Sequence, residues 1–433
     1  MVKLLHTSDW HLGQHFMGQS RRHEHQQFLN WLRETAVAQN VTAIVVAGDI
    51  FDTGAPPSYA REMYNHFVVE LEKVGVHLVI LGGNHDSIAT LSETASLLRR
   101  LGAHVIPGAM ATPEEQLVSL NNQDGRTELL VCAVPFLRPR DVMTSQSGDS
   151  TQSKQKQLQN AISEHYQRIY QLAKTKQQAI FKSEGRWVPI VATGHLTTVG
   201  AKTSDAVREI YIGTLDHLPS SAFPEVDYVA LGHIHRHQKV GKTEHIRYCG
   251  SPIPLSFDEL SSDKVVLLAL LSDEHQGDRP DNAGALLEEI EPVSIPRFQP
   301  MYRVKGTIEE VETQFDALAK AQEADESQAT TAWVEVTITG ESFVVDLQQR
   351  IQDKVADLPL EVLCIRRQKV AAAQLKTEQK ETLAQLTPQD VFHRRLESEA
   401  FDEAQTQRLN QAFHQLAQAA ADHLSEKAEG DNA

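Results

Sequence analysis

The chain has few cysteines, too little basic charge to balance its acid, and no long apolar run. Cys132, Cys249 and Cys364 are scattered over 433 residues without a Cys-x-x-Cys pair. This excludes a disulfide framework and a zinc ribbon, and it suits a reducing cytoplasm. No stretch approaches the roughly 18 apolar residues of a membrane span. Met1 to His6 lead directly into a strand-like segment, so neither a signal peptide nor a membrane partner is expected. Lys and Arg number 41 against 58 Asp and Glu, a formal net charge of −17. That balance argues against a protein that grips nucleic acid alone over a broad basic face, though a partner could supply the basic surface. There is no internal repeat. The length predicts two or three domains, each able to bury a core.

Against these absences stands a set of short apolar runs. Leu4-Leu5 leads into Asp9 and His11, and Ala43 to Val46 into Gly48, Asp49 and Asp52. Leu78 to Leu81 leads into Asn84, His85 and Asp86. Ile190 to Ala192 leads into Gly194-His195, and Tyr228 to Leu231 into Gly232, His233 and His235. The run from Leu129 to Val134 ends without a donor. Between the first runs lie amphipathic stretches at helical spacing, Glu24 to Gln39 and Tyr59 to Val74. The β-α-β-α-β order predicts parallel strands with right-handed crossovers. In such sheets the carboxyl ends of the strands build the site.

Singly, each donor pair is weak in a chain with 20 histidines. Jointly they converge. Seven donors with one shared carboxylate suit two ions of four protein ligands each, with positions left for water and substrate. Carboxylate, amide oxygen and imidazole without thiolate favour Mn²⁺, Fe²⁺ or Zn²⁺ over copper or an iron–sulfur cluster.

Further on, a helix is expected from about Lys156 to Lys182 and a proline-punctuated linker at Pro292, Pro296 and Pro300. Beyond it the spacing predicts a small α+β module, with strands at Tyr302–Lys305, Trp333–Thr339 and Glu361–Arg366 and helices at Glu309–Ala324 and Val345–Leu358. The end reads as two helices. One starts at Thr387-Pro388, with Thr as N-cap and Pro in the first turn. The other runs from about Glu403 to Leu424 with an apolar stripe that either folds back on the preceding module or serves as a docking surface.

The set Asp9-x-His11, Gly48-Asp49-x-x-Asp52, Gly83-Asn84-His85-Asp86, Gly194-His195 and Gly232-His233-x-His235 resembles the calcineurin-like metallophosphoesterase superfamily. Longer strings, among them HTSDWHLG at 6–13, VAGDIFDTGAPPS at 46–58 and YCGSPIPLSFDE at 248–259, resemble the nuclease subunits of bacterial SbcC–SbcD complexes. The resemblance implies an α/β fold: a β-sandwich flanked by helices (1–295), an α+β DNA-capping domain (300–370), C-terminal helices docking an SbcC-type ATPase (371–425) and a disordered tail (426–433). It implies one metal on Asp9, His11, Asp49 and His235 and a second on Asp49, Asn84, His195 and His233. His85 would stand by the scissile phosphate without binding metal. Many phosphatases carry Arg directly after the second acid, where Thr53-Gly54 stands here, which weakens a phosphoprotein-phosphatase reading. Asp52 is left outside the expected site, because some relatives carry His there. The implied activity is that of a Mn²⁺-dependent DNA nuclease, a 3′–5′ double-strand exonuclease and single-strand or hairpin endonuclease. It would serve repair, recombination and replication in the cytoplasm and work as a nuclease-domain homodimer. The alternatives are a small-molecule or cyclic-nucleotide phosphodiesterase and a non-catalytic scaffold for an ATPase.

Overall fold

A computed structural model describes residues 1–143, 151–202, 217–272, 283–324, 330–339 and 346–368, together with Leu409 and Phe413. The expected C-terminal helices lie outside the described residues except for Leu409 and Phe413, which are both helical, and the tail 426–433 lies wholly outside them.

Two six-stranded sheets face each other. The first has β1 (Val2–Thr7), β4 (Ala43–Val46), β5 (His77–Leu81) and β6 (Ala103–Ile106) running parallel, with β13 (Val265–Leu271) antiparallel beside β1 and β14 (Leu287–Ser294) antiparallel beside β13 at the edge. The second has β8 (Thr127–Cys132), β9 (Ile190–His195), β10 (Tyr228–Gly232) and β12 (Ile246–Tyr248) parallel, edged by the antiparallel β7 (Leu117–Asn121) and β11 (Gln238–Lys239). A two-stranded hairpin, β2 (His15–Phe16) and β3 (Gln19–Ser20), follows β1.

The parallel strands are apolar on both faces because both faces are covered. Leu4, Ala43, Val45, Val79, Val131, Val191 and Ala230 fill the space between the sheets. On the outer side of the first sheet, Leu5, Ile44, Val46 and Ile80 pack under α1 (Arg22–Ala38), α2 (Ser58–Lys73) and α3 (Ile88–Arg99), which contribute Phe28, Phe67 and Leu91. On the outer side of the second, Leu130, Ile190 and Leu231 pack under α5 (Thr151–Glu184) through Ile162, Tyr166 and Ile169, beyond the short α4 (Pro139–Val142). α1, α2 and α6 (Ile308–Ala324) lie within a few residues of their predicted spans, while α3 and α4 fall where no helix was expected. α5 begins earlier than expected, at Thr151, and α7 (Leu347–Val355) is shorter at both ends, with Asp346 in a left-handed conformation at its start.

The third sheet holds β15 (Met301–Gly306), β16 (Ala332–Ile338) and β17 (Leu360–Arg367), all parallel, joined through α6 (Ile308–Ala324) and α7. It is a βαβαβ unit with its own core of Val304, Phe315, Val334 and Ile351. Met301 and Trp333 seat it against Phe16 and Phe257 of the sandwich.

Candidate metal centre and its setting

The carboxyl ends of β1, β4, β5, β9 and β10 open onto one cradle. The chain after β1 and the chain after β4 stay zipped together: Asp9 N–H donates to Gly48 O at 3.0 Å, His11 N–H to Asp49 O at 3.1 Å and Leu12 N–H to Ile50 O at 2.9 Å. The two sheets are tied at the same level. His233 N–H donates to Asp9 Oδ1 at 2.9 Å, and His195 Nδ1 meets Ala47 O at 2.8 Å.

Backbone conformation marks this rim. Asp9 (φ 54°), His11 (φ 47°), Asp49 (φ 51°) and His233 (φ 90°) are four of the seven non-glycine residues with positive φ among those described. Such geometry costs of order 1–3 kcal/mol per residue and persists only where the surroundings enforce it. Close approach adds a second constraint. A Cβ on Gly83 would come within 2.1 Å of Asp49 Oδ1, and one on Gly48 (φ 93°) within 2.2 Å of His195 Nδ1.

All seven expected donors meet here, most of them buried. Donor atoms of Asp9, His11 and His235 lie within 4.8 Å of one another, as do those of Asp49, His195 and His233. Asn84 Oδ1 joins the second group, 2.8 Å from His195 Nε2 and 3.1 Å from His233 Nδ1. Asp49 Oδ2 stands between the groups, 3.3 Å from His195 Nε2 and 3.6 Å from His11 Nε2.

The residues fit divalent cations. Nδ1–H of His195 is committed to the Ala47 carbonyl, so Nε2 turns a lone pair toward two oxygens, Asp49 Oδ2 and Asn84 Oδ1. Three acceptors facing one another need a positive charge among them. The buried Nε2 atoms of His11 and His233 have no hydrogen-bond partner among the described residues. In the bare protein a proton answers the same demand. Burial alone would lower His195, but the Asp49 charge and hydrogen bond, with Asp9 and the Ala47 carbonyl, raise it to about 9. Burial would raise Asp49, yet the imidazoles of His195, His11 and His85 hold it well below the usual carboxylate range.

His85 stands beside the donors. Its N–H donates to Asp49 Oδ1 at 2.9 Å, its Nδ1 meets the Asp52 carbonyl at 2.7 Å, and its ring lies edge-on to that of His11, 4.7 Å between centroids. Three further residues shape the site. Asp52, left outside the expected set, has Oδ1 3.2 Å from His11 Nδ1 and forms a third donor group with His11 and His85. Asp86 accepts from the backbone N–H groups of Ile50, Phe51 and Gly83 at 3.0, 2.9 and 2.8 Å, binding the loop after β4 to the loop after β5. Glu259 receives His235 Nδ1 at 3.1 Å. The Gly-Asn-His-Asp string contained the signal for Asp86, whereas nothing local in the sequence links Glu259 to His235.

Residues 2–237 match the calcineurin-like phosphoesterase family, and residues 297–400 match the family described as type 5 capsule protein repressor C-terminal domain. The chain is 47% identical to the SbcD component of nuclease SbcCD from Escherichia coli K12, over 95% of this chain and 97% of that protein. It is 29% identical to the SbcD component from Rhodobacter capsulatus, over 90% of this chain and 93% of that one. Among the described residues no helix is long and apolar enough to cross a membrane. A phosphoesterase of this kind implies two divalent metal ions, and the donor groups above can receive them. The chain therefore belongs to the calcineurin-like phosphoesterases and, within them, to the SbcD family of nuclease subunits, hydrolases that act on phosphodiester bonds.

Proposed function

We propose that the chain is a Mn²⁺-dependent DNA nuclease, with Asp9, His11, Asp49 and His235 holding one ion, Asp49, Asn84, His195 and His233 the second, and His85 serving the scissile phosphate. The observation that carries this reading is the convergence of His195 Nε2, Asp49 Oδ2 and Asn84 Oδ1, acceptors that only a cation or a proton can reconcile. When bound, the ions supply Lewis-acid charge for the phosphoryl oxygens and make a water acidic enough to attack.

The side chains do the remainder. Asp49, held between the two groups, sets their separation. With His85 Nδ1 directed at the Asp52 carbonyl, Nε2 is the nitrogen that protonates the leaving oxygen or opposes its developing charge. Asp86 keeps His85 and Asp49 in register by fixing both loops.

Cleavage from 3′ ends of duplexes, with nicking of single strands and hairpins, follows from the family resemblance, as do service in repair, recombination and replication and a place in the cytoplasm. An SbcC-type ATPase is the proposed partner, docked by residues 371–425. A net charge of −17, with 8 basic against 13 acidic residues in the proposed DNA-capping module at 300–370, leaves DNA grip to be supplied by such a partner. A second copy of this chain is the proposed occupant of the α2–α3 face, where Val69 and Leu97 are 37% and 60% exposed beside a groove of about 560 Å³.

The test is digestion of end-labelled duplex and hairpin DNA by the purified chain with Mn²⁺, with and without the ATPase and ATP, beside bis-p-nitrophenyl phosphate and cyclic nucleotides. Cleavage of the DNA from 3′ ends and at the hairpin supports the reading. Turnover of the small esters with intact DNA in every arm overturns it in favour of a small-molecule phosphodiesterase.

A further inference from the structure

Behind His235 lies a buried ionic network that the mechanism above does not use. Glu259 is 2% exposed, Lys264 8% and Ser251 fully buried. Glu259 Oε1 accepts from His235 Nδ1 at 3.1 Å. Its other oxygen accepts from Lys264 Nζ at 2.6 Å, Ser251 Oγ at 3.2 Å and Leu255 N–H at 3.1 Å. Lys264 Nζ also donates to Ser251 Oγ at 2.7 Å and to the carbonyl oxygen of His235 itself at 3.1 Å. His235 is thus gripped twice, by its ring through Glu259 and by its backbone through Lys264.

A buried ion pair is a costly way to obtain stability, since an apolar pair of similar volume serves as well or better. A function for this one is found in its neighbour. A carboxylate on Nδ1–H fixes the tautomer, leaves Nε2 as the donor and raises its basicity. His195, in the other donor group, has only a neutral backbone carbonyl behind its Nδ1, whereas His11, in the same group as His235, has the Asp52 carboxylate at 3.2 Å. The Lys264 ammonium, 2.6 Å from the other carboxylate oxygen, supplies a buried countercharge to Glu259.

We propose that Glu259 is a positioning residue for the metal centre, aiming and charging the His235 ring, with Lys264 holding both Glu259 and the His235 backbone in place. The inference rests on the two-ion reading above and makes the two ions unequal: the one on Asp9, His11, Asp49 and His235 depends on this network and the other does not.

The experiment is titration of Mn²⁺ into the metal-free full chain, read by the spin resonance of free Mn²⁺ and by calorimetry, for the wild type, Glu259→Gln and Glu259→Gln/Lys264→Met. The glutamine keeps an oxygen for Nδ1–H but removes the charge. The double variant also removes the stranded ammonium and so guards against a folding defect. The expected result in both is weakening of one ion by about 10–100-fold, with the other close to wild type. Two ions bound as in the wild type, with only the denaturation midpoint moved, reduces the network to structure and overturns the proposal. Equal weakening of both ions overturns it as well. A wild type that binds no Mn²⁺ removes the two-ion reading, and this inference falls with it.

Discussion

His195 and His235 face one cradle from the same sheet, yet they are held in different ways. His195 is the last residue of β9, in register with Gly232 of β10, and its ring rests on the Ala47 carbonyl of the opposite sheet. Strand pairing and one backbone oxygen suffice. His235 lies three residues past the end of β10, where the ladder no longer directs it, and side chains from 251–264 take over. The comparison teaches that a donor on a strand end needs little support. A donor beyond the strand end needs a scaffold, and here that scaffold is charged.

Asp49 is proposed to serve both halves, so its loss has the largest expected effect. Asp49→Asn should cut cleavage by about 10⁴-fold or more, the equivalent of several kcal/mol of charge stabilisation. Mn²⁺ titration should show both ions weakened. If only one ion is affected, Asp49 is not shared and the two halves are separate sites.

His85 touches Asp49 but is proposed to hold no ion. His85→Ala should leave both ions bound while kcat falls by roughly 10²–10³. Metal content that drops together with turnover would move His85 into the donor set and erase its distinction from His195 and His235.

The two halves also differ in how much of them can be read from the sequence. The convergence of the seven expected donors and His85 was legible because each stands within six residues of the end of an apolar run, and a strand end is a local signal. The outer strands were less so. β13, with the run Val265–Leu271, forms the antiparallel neighbour of β1 but carries no donor and no motif, so nothing flagged it. The third sheet was legible as alternating strands and helices, although its all-parallel pairing emerges only from the register. Asp52, Asp86 and Glu259 were visible as residues and not as supports. Apart from the Gly83 N–H three residues before Asp86, their partners are backbone N–H groups or side chains brought near by folding, and spacing along the chain cannot encode such contacts. Positive φ at Asp9, His11, Asp49 and His233 was equally hidden, since those residue types do not announce it.

Gly48 tests the half that rests on backbone. With φ 93° and a would-be Cβ 2.2 Å from His195 Nδ1, Gly48→Ala must push the ring off the Ala47 carbonyl or strain the turn. A loss of about 2–4 kcal/mol in urea denaturation is expected, with the His195 ion weakened more than the His235 ion. An equal effect on the two ions would show that the halves are mechanically coupled and not independently supported.

The smallest expected effect comes from acid on histidines beneath the cradle. His6 lies in β1, three residues before Asp9, with Nδ1 2.9 Å from the Tyr228 hydroxyl, and His25 lies in α1. Burial lowers both to about 3, helped at His6 by the His237 charge and at His25 by the charges of Arg21 and His11. Their unfolded value is about 6.5. Between about 3 and 6.5 the unfolded chain therefore binds protons that the folded chain refuses. Their contribution to stability is intact above about 6.5 and is lost as the pH falls toward 3. By pH 5 each should cost roughly 1–2 kcal/mol. Other buried groups, His165 and Asp86 among them, titrate over the same range, so the contribution is read by difference: His6→Gln and His25→Gln should each shrink the fall in urea-measured stability of the metal-free chain between pH 7 and pH 5 by roughly 1–2 kcal/mol. A pH dependence unchanged in both variants would place the acid sensitivity elsewhere. Removal by one variant alone would show which half of the cradle yields first.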